Sequence, residues 1–202
     1  MNGLVLHLAS GNAHKAREMQ ALADASGLHV TVRAADRMPA VPEDTGTFEG
    51  NAHQKAAALR AGLPPGAWAL ADDSGLCVDE LGGAPGVESA YYAGPQGDHT
   101  ANLQKLVATM RDVPEERRGA HFVCVLALLG PEGAGQFFEG RCPGKLRRLP
   151  AGSGGFGYDP LFVPEGSSLT YAELDEAEKN RLSHRARAWA QLTAWLRSQR
   201  RA

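Results

Sequence analysis

The stretch His121-Phe122-Val123-Cys124-Val125-Leu126-Ala127-Leu128-Leu129 decides the fold. After His121 it carries no polar or charged side chain. A strand with one wet face alternates apolar and polar residues, whereas a continuous apolar run suits a strand covered on both faces. The sequence therefore predicts a central strand over 121–129 within an α/β protein.

Working outward, Gln136–Gly140 can pair with this strand after the Gly130–Gly135 turn. Upstream, Thr100–Met110 reads as a helix, with Leu103, Leu106, Val107 and Met110 at helical spacing. Ala67–Ala71 is a short apolar strand that ends in Asp72-Asp73-Ser74-Gly75, and Leu76–Val78 is a further strand. Between Leu81 and Gly97 lies a Gly/Pro-rich loop. At the start of the chain, Leu4–Ala9 reads as a buried strand and Ala13–Ala25 as a helix. Leu28–Arg33 reads as a half-buried strand, and Asp36–Gly46 as a loop. Thr47 caps a helix to Ala61. Near the other end, Thr170 and Glu173 form a capping-box signature, and Leu182, Ala186, Trp189, Thr193 and Leu196 mark a last helix that Ser183 can cap. The order of strands and helices indicates α/β with a mixed sheet in one domain over 1–202, with no linker or repeat.

The 202 residues suffice for a core without covalent staples. A net charge of -2 offers no global basic field for nucleic acid, and the terminal Arg197, Arg200 and Arg201 read as solubilising. Cys77, Cys124 and Cys142 are odd in number and widely spaced, which argues against a disulfide framework or zinc ribbon, and Cys77 and Cys124, in apolar runs, read as buried thiols in a reducing cytoplasm. No apolar run approaches the ~20 residues of a membrane-crossing helix.

Five stretches can carry chemistry. Ser10-Gly11-Asn12-Ala13-His14-Lys15 links a strand to a helix, a place where backbone N–H groups can cradle phosphate; an ordinary capped turn is the competing reading. Asp72-Asp73-Ser74-Gly75 ends a buried strand with adjacent carboxylates. These repel unless a cation such as Mg²⁺ holds them, although the same residues also make turns. Glu49 opens a helix that carries Asn51 and Lys55 on one face, and it can equally complement the helix dipole. Gly154-Gly155-Phe156-Gly157-Tyr158-Asp159-Pro160 lets a backbone approach a ligand while Phe156 stacks on a base or plugs the core. Lys179-Asn180-Arg181-Leu182-Ser183-His184-Arg185 concentrates cations before the last helix, as a binding run or a solvated face. His7, His53 and His99 read as structural.

Taken together, these stretches resemble the inosine triphosphate pyrophosphatase, or Ham1-like, family. So do Phe48-Glu49-Gly50-Asn51-Ala52 and Gly82-Gly83-Ala84-Pro85-Gly86-Val87, and the likeness runs from about Leu4 to Ala190. It implies an elongated mixed β-sheet flanked by helices, two lobes with a central cleft, and a homodimer. It also implies Mg²⁺-dependent hydrolysis of non-standard purine nucleoside triphosphates (ITP, dITP, XTP) to the monophosphate and pyrophosphate. By the same resemblance Ser10, Gly11, Asn12, Ala13, His14 and Lys15 hold the triphosphate. Asp73 is the catalytic carboxylate and Ser74 a substrate contact, while Glu49, Asp72 and Asp73 serve Mg²⁺. Phe156, Gly157, Tyr158 and Asp159 receive base and sugar, Lys179 meets phosphate or base edge, and His184 and Arg185 read the 6-oxo group. Tyr91 departs from the family's usual Arg, and Ser10 from its common Thr. Two other readings stand beside this one: a phosphatase with Asp73 as a phosphorylated nucleophile, and a nucleotide-binding module without turnover.

Overall fold

The computed structural model describes residues 3–35, 37–38 and 40–199. Asp36 of the predicted loop and Arg200 and Arg201 of the terminal cluster lie outside the described residues. The strands are β1 (Leu4–Ala9), β2 (Val30–Ala34), β3 (Trp68–Val78), β4 (Gly119–Leu129), β5 (Gly135–Leu146) and β6 (Phe162–Pro164). The helices are α1 (Ala13–Ala25), α2 (Phe48–Ala61), α3 (His99–Thr109), α4 (Glu176–Leu182) and α5 (His184–Gln199). One sheet orders its strands β2-β1-β3-β4-β5-β6. β1 runs parallel to β2 and β3, and β5 runs antiparallel to β6, so the sheet is mixed as expected.

The chain forms two compact units, one of Met1–Asp73, Cys124–Gly140 and Arg185–Ala202, the other of Ser74–Val123 and Arg141–His184. The core of the first contains Leu6, Leu8, Met19, Leu70, Cys124, Leu126, Leu128, Trp189 and Leu192. The core of the second contains Leu76, Val78, Leu106, Met110, Phe122, Leu146, Phe162 and Tyr171. β4 is buried along nearly its whole length, as its apolar run requires.

Several elements differ from the sequence reading. β3 is a single strand that runs through Asp72-Asp73-Ser74-Gly75, where two separate short strands, Ala67–Ala71 and Leu76–Val78, were expected. Cations meet both carboxylates inside the protein, so the chain need not turn outward to hydrate them. β5 continues six residues past Gly140, because its alternating exposed and buried pattern persists to Leu146. β6 has only three residues and no periodicity to reveal it. The Thr170/Glu173 box does form, with Thr170 N donating to Glu173 Oε2 at 2.9 Å. It closes a turn, however, and α4 is capped by Asp175, which accepts from Glu178 N at 2.7 Å. Among the described residues no helix is long and apolar enough to cross a membrane.

A buried arginine ties the second unit together. Arg118 is 1% exposed and ends the turn before β4. Its Nε donates to Leu146 O (2.9 Å), Nη1 to Met110 O (2.7 Å) and Nη2 to Arg147 O (2.7 Å). One planar fork thus serves carbonyls at the end of α3 and at the end of β5. A lysine ammonium cannot reach all three, and buried acceptors left unpaired are costly. Arg118→Lys is expected to destabilise the protein by about 2–4 kcal/mol, read as a lower urea midpoint at unchanged slope.

Candidate active site

In the first unit the site grows from three helix starts and one strand. Asn12 caps α1: its Oδ1 accepts from His14 N at 2.9 Å and Lys15 N at 3.3 Å, while Asn12 N donates to Ser10 Oγ at 3.1 Å. The 10–15 turn is therefore a preformed, self-bonded loop, and two of its N–H groups are already used by the cap. Gly11 faces open space, and Ala13 and His14 are exposed.

Successive residues on a strand point to opposite faces, and this separates the two aspartates. Asp72, 1% exposed, meets α1 and α5. Lys15 Nζ pairs with its Oδ1, Arg185 Nε donates to Oδ2 at 2.9 Å, and Cys124 Sγ donates to Oδ2 at 3.2 Å. Arg185 also pairs with Glu18. Burial pushes the Asp72 carboxyl up, but Arg185 and Lys15 outweigh it and hold it well below the usual carboxylate range. Burial likewise works against the Arg185 charge, and Asp72 and Glu18 overcome it and raise its pKa.

Asp73 faces α2. Lys55 Nζ reaches its Oδ1 at 2.6 Å and Glu43 Oε2 at 3.1 Å. Asp73 Oδ2 is buried with no hydrogen-bond partner in the protein. Here burial dominates over the pull of Lys55, and the carboxyl is raised to about 6. Neighbours in sequence thus hold opposite states: Asp72 is a fixed anion and Asp73 is poised to exchange a proton near neutrality.

The expected metal trio is not gathered. Glu49 is exposed on the first turn of α2, and Asp72 is committed to Lys15, Arg185 and Cys124. Among the described residues no three His, Cys, Asp or Glu side chains converge to hold an ion. Arg185 was expected to read a base. Its guanidinium pairs with Asp72 and Glu18.

The second unit holds the other expected residues. Ser74 is half-buried in β3. Phe156 N donates to Asp159 Oδ2 at 2.8 Å, and Lys179 Nζ donates to the same oxygen at 2.8 Å. The ammonium also lies 5.3 Å from the Phe156 ring centre. The tight loop needs glycine at 155 and 157, which take φ +68 and +62; a β-carbon on Gly155 would strike the Asp159 carboxylate. Tyr158 is buried, and its hydroxyl donates to Ser89 O at 2.9 Å, which anchors the loop. His184 is stacked on Phe122 at 4.7 Å and on Tyr171 at 6.3 Å.

Sequence reasoning placed Lys55 near the site without a role, and did not find Glu18, Glu43 or Cys124. Lys55 and Glu18 do carry a signal: each is a charge on an apolar helix face, and such a charge needs a buried partner. The fold is α/β, and its third strand sets a fixed anion, Asp72, beside a carboxyl raised toward neutrality, Asp73.

The Ham1 family model matches residues 6–195. The dITP/XTP pyrophosphatase of Opitutus terrae is 61% identical over 197 residues, covering 94% of this chain and 97% of that protein. That of Streptomyces coelicolor is 49% identical, covering 95% and 96%. The solved structure of a HAM1 protein from Coxiella burnetii superposes with a TM-score of 0.83 at 37% identity, covering 96% of this chain and 99% of that one. The chain belongs to the Ham1 family.

The split between the aspartates is open to direct measurement. In ¹³C NMR of the metal-free protein, Asp73 is expected to titrate near 6, while Asp72 is expected to stay ionised through the range in which an ordinary aspartate takes up its proton. Exchange of those two assignments, or two ordinary titrations, would refute the electrostatic reading.

Proposed function

We propose that this chain hydrolyses dITP, ITP and XTP to the monophosphate and pyrophosphate, removing non-standard purines from the nucleotide pool. One observation carries the reading: a buried carboxylate oxygen, Asp73 Oδ2, without a protein partner and on an acid raised to about 6. A general base works best when its pKa lies near the working pH. The names of the relatives, dITP/XTP pyrophosphatase, supply the substrate class.

In this reading the oxygen of a water forms a bond to the α-phosphorus while the bond to the bridging oxygen breaks. Pyrophosphate leaves with the electron pair, and the proton passes to Asp73 Oδ2. Lys55 holds Asp73 Oδ1, fixing which oxygen receives the proton. Lys15 and the 10–15 turn take the phosphates, with Lys15 exchanging part of its contact to Asp72 for a phosphate oxygen. The residues present fit Mg²⁺ at Asp73, whose free oxygen has lone pairs for both a cation and a water proton, with exposed Glu49 as the second donor. Mg²⁺ keeps several waters and leans on substrate phosphates, so a three-acid cage is not required. When bound, it neutralises phosphate charge and acidifies water. Asp72 does not fit as a ligand; it serves as the anchor of Lys15 and Arg185.

The base stacks on Phe156, held by Asp159 and Lys179, and His184 meets its 6-oxo edge. An adenine amino group at a donor built for an oxygen leaves polar groups unpaired, which rejects ATP. We further place the enzyme in the cytoplasm as a homodimer with no nucleic-acid or membrane partner, which gel filtration with light scattering checks for the dimer.

With Mg²⁺ and a panel of dITP, ITP, XTP, GTP and ATP, pyrophosphate is expected as the product, with the 6-oxo non-standard purines ahead of ATP by on the order of 10²-fold or more. Orthophosphate would favour a phosphatase instead. Asp73→Asn is expected to keep its fold and lose on the order of 10²–10⁴-fold in kcat; an unchanged rate would remove Asp73 from the mechanism.

A further inference from the structure

α2 carries a second buried group that the mechanism above leaves unused. Asn51 is 1% exposed. Its Oδ1 accepts from Thr45 N at 3.2 Å and from Thr45 Oγ1 at 2.7 Å. A backbone N–H can only donate, so this bond fixes which end of the amide is oxygen. Asn51 Nδ2 then points elsewhere, buried and without a hydrogen-bond partner in the protein. Buried polar atoms without partners are rare enough that each calls for an explanation.

Lys55 lies four residues along α2 from Asn51, on the same helix face, and reaches Asp73 Oδ1 at 2.6 Å. The face that presents Asn51 therefore also carries the lysine that holds Asp73, whose Oδ2 is a buried acceptor without a hydrogen-bond partner. Gln54, three residues from Asn51, adds another buried acceptor in Oε1. A donor and two acceptors are what one water needs: its hydrogens go to the two oxygens, one lone pair takes the amide N–H, and the other stays free.

Resting on the function proposed above, we propose that Asn51 is the positioning residue for the attacking water, donating from Nδ2 to the water oxygen while Asp73 Oδ2 takes the proton. The free lone pair of that water forms the bond to the α-phosphorus. The bond to the bridging oxygen breaks, and pyrophosphate leaves with its electrons. Asn51 neither gains nor loses a proton.

Asn51→Asp isolates the donor, because the aspartate keeps an acceptor for Thr45 and replaces only the amide nitrogen. With dITP and Mg²⁺ as the probe, kcat is expected to fall on the order of 10²-fold with KM nearly unchanged. The loss should persist at about pH 9, where the added carboxylate can no longer keep Asp73 protonated. Thr45→Val removes the hydroxyl bond to Oδ1 but leaves the donor; it is expected to lower Tm while kcat stays within about threefold. Wild-type kcat in Asn51→Asp, recovery at high pH, or an equal loss in Thr45→Val would overturn the proposal. Should Asn51→Asp not fold, a high-resolution crystal structure of the metal-free wild type decides. An ordered water bonded to both Asn51 Nδ2 and Asp73 Oδ2 supports the assignment, and an Nδ2 bonded only toward Gln54 overturns it. Wild-type enzyme that releases no pyrophosphate from dITP would instead defeat the underlying functional reading.

Discussion

The pairing of Arg185 with Asp72 is the interaction on which the rest of the first unit depends. Two carboxylates in succession on a buried strand would ordinarily break the strand or lose their charge. Here α5 delivers a guanidinium and α1 an ammonium to Asp72, and Glu18 balances the second arm of the guanidinium. α1, β3 and α5 thus meet at one charge cluster, with β4 contributing the Cys124 thiol. Such a cluster is poor evidence for net stability, since desolvation consumes much of the Coulombic gain. What it secures is geometry and a permanent negative charge at a defined point.

The neighbouring residue takes its character from burial and a different cation. Asp73 takes its hydrogen bond from Lys55, which Glu43 also claims, and Lys15, the ion-pair partner of Asp72, adds a weaker pull. One ammonium divided between two acids stabilises each less than a dedicated partner would. Burial therefore outweighs pairing at Asp73 and falls short of it at Asp72. The two environments arise from strand alternation alone: the same backbone turns one side chain toward two cations and the other toward a shared one. A pair of acids pushed apart in this way is the general route to a base that works near neutrality beside an anion that never titrates.

Much of this fold was legible in the sequence. β1, α1 and α2 fall where their apolar periodicity and caps put them, and the 121–129 run is the buried strand it was read to be. Asn12 and Thr47 perform the capping that their residue types suggest. Local pattern failed where long-range partners decide. The Asp72-Asp73-Ser74-Gly75 segment has the composition of a turn, yet it lies within β3, where Lys15, Arg185 and Lys55 from distant helices meet its carboxylates. For the candidate site, the sequence singled out Asp73 and Lys15 but not what touches them, because Glu18, Glu43 and Lys55 meet partners distant in the chain.

Arg185 shows the limit of reading a motif as one function. Ser183-His184-Arg185 is contiguous in sequence, yet the chain passes from one compact unit to the other between His184 and Arg185. It does the same between Asp73 and Ser74. His184 joins an aromatic stack with Phe122 and Tyr171, while Arg185 clamps a carboxylate. A contiguous motif therefore need not mark a contiguous surface. Arg185 pairs with Asp72 and Glu18, so part of its chemistry is that of a fixed charge. The same logic separates Tyr158 from Phe156, two residues apart in one glycine-rich loop: the hydroxyl of Tyr158 is spent on Ser89 O to hold the loop. Phe156, whose own N–H is fixed by Asp159, keeps its ring beside the Lys179 ammonium.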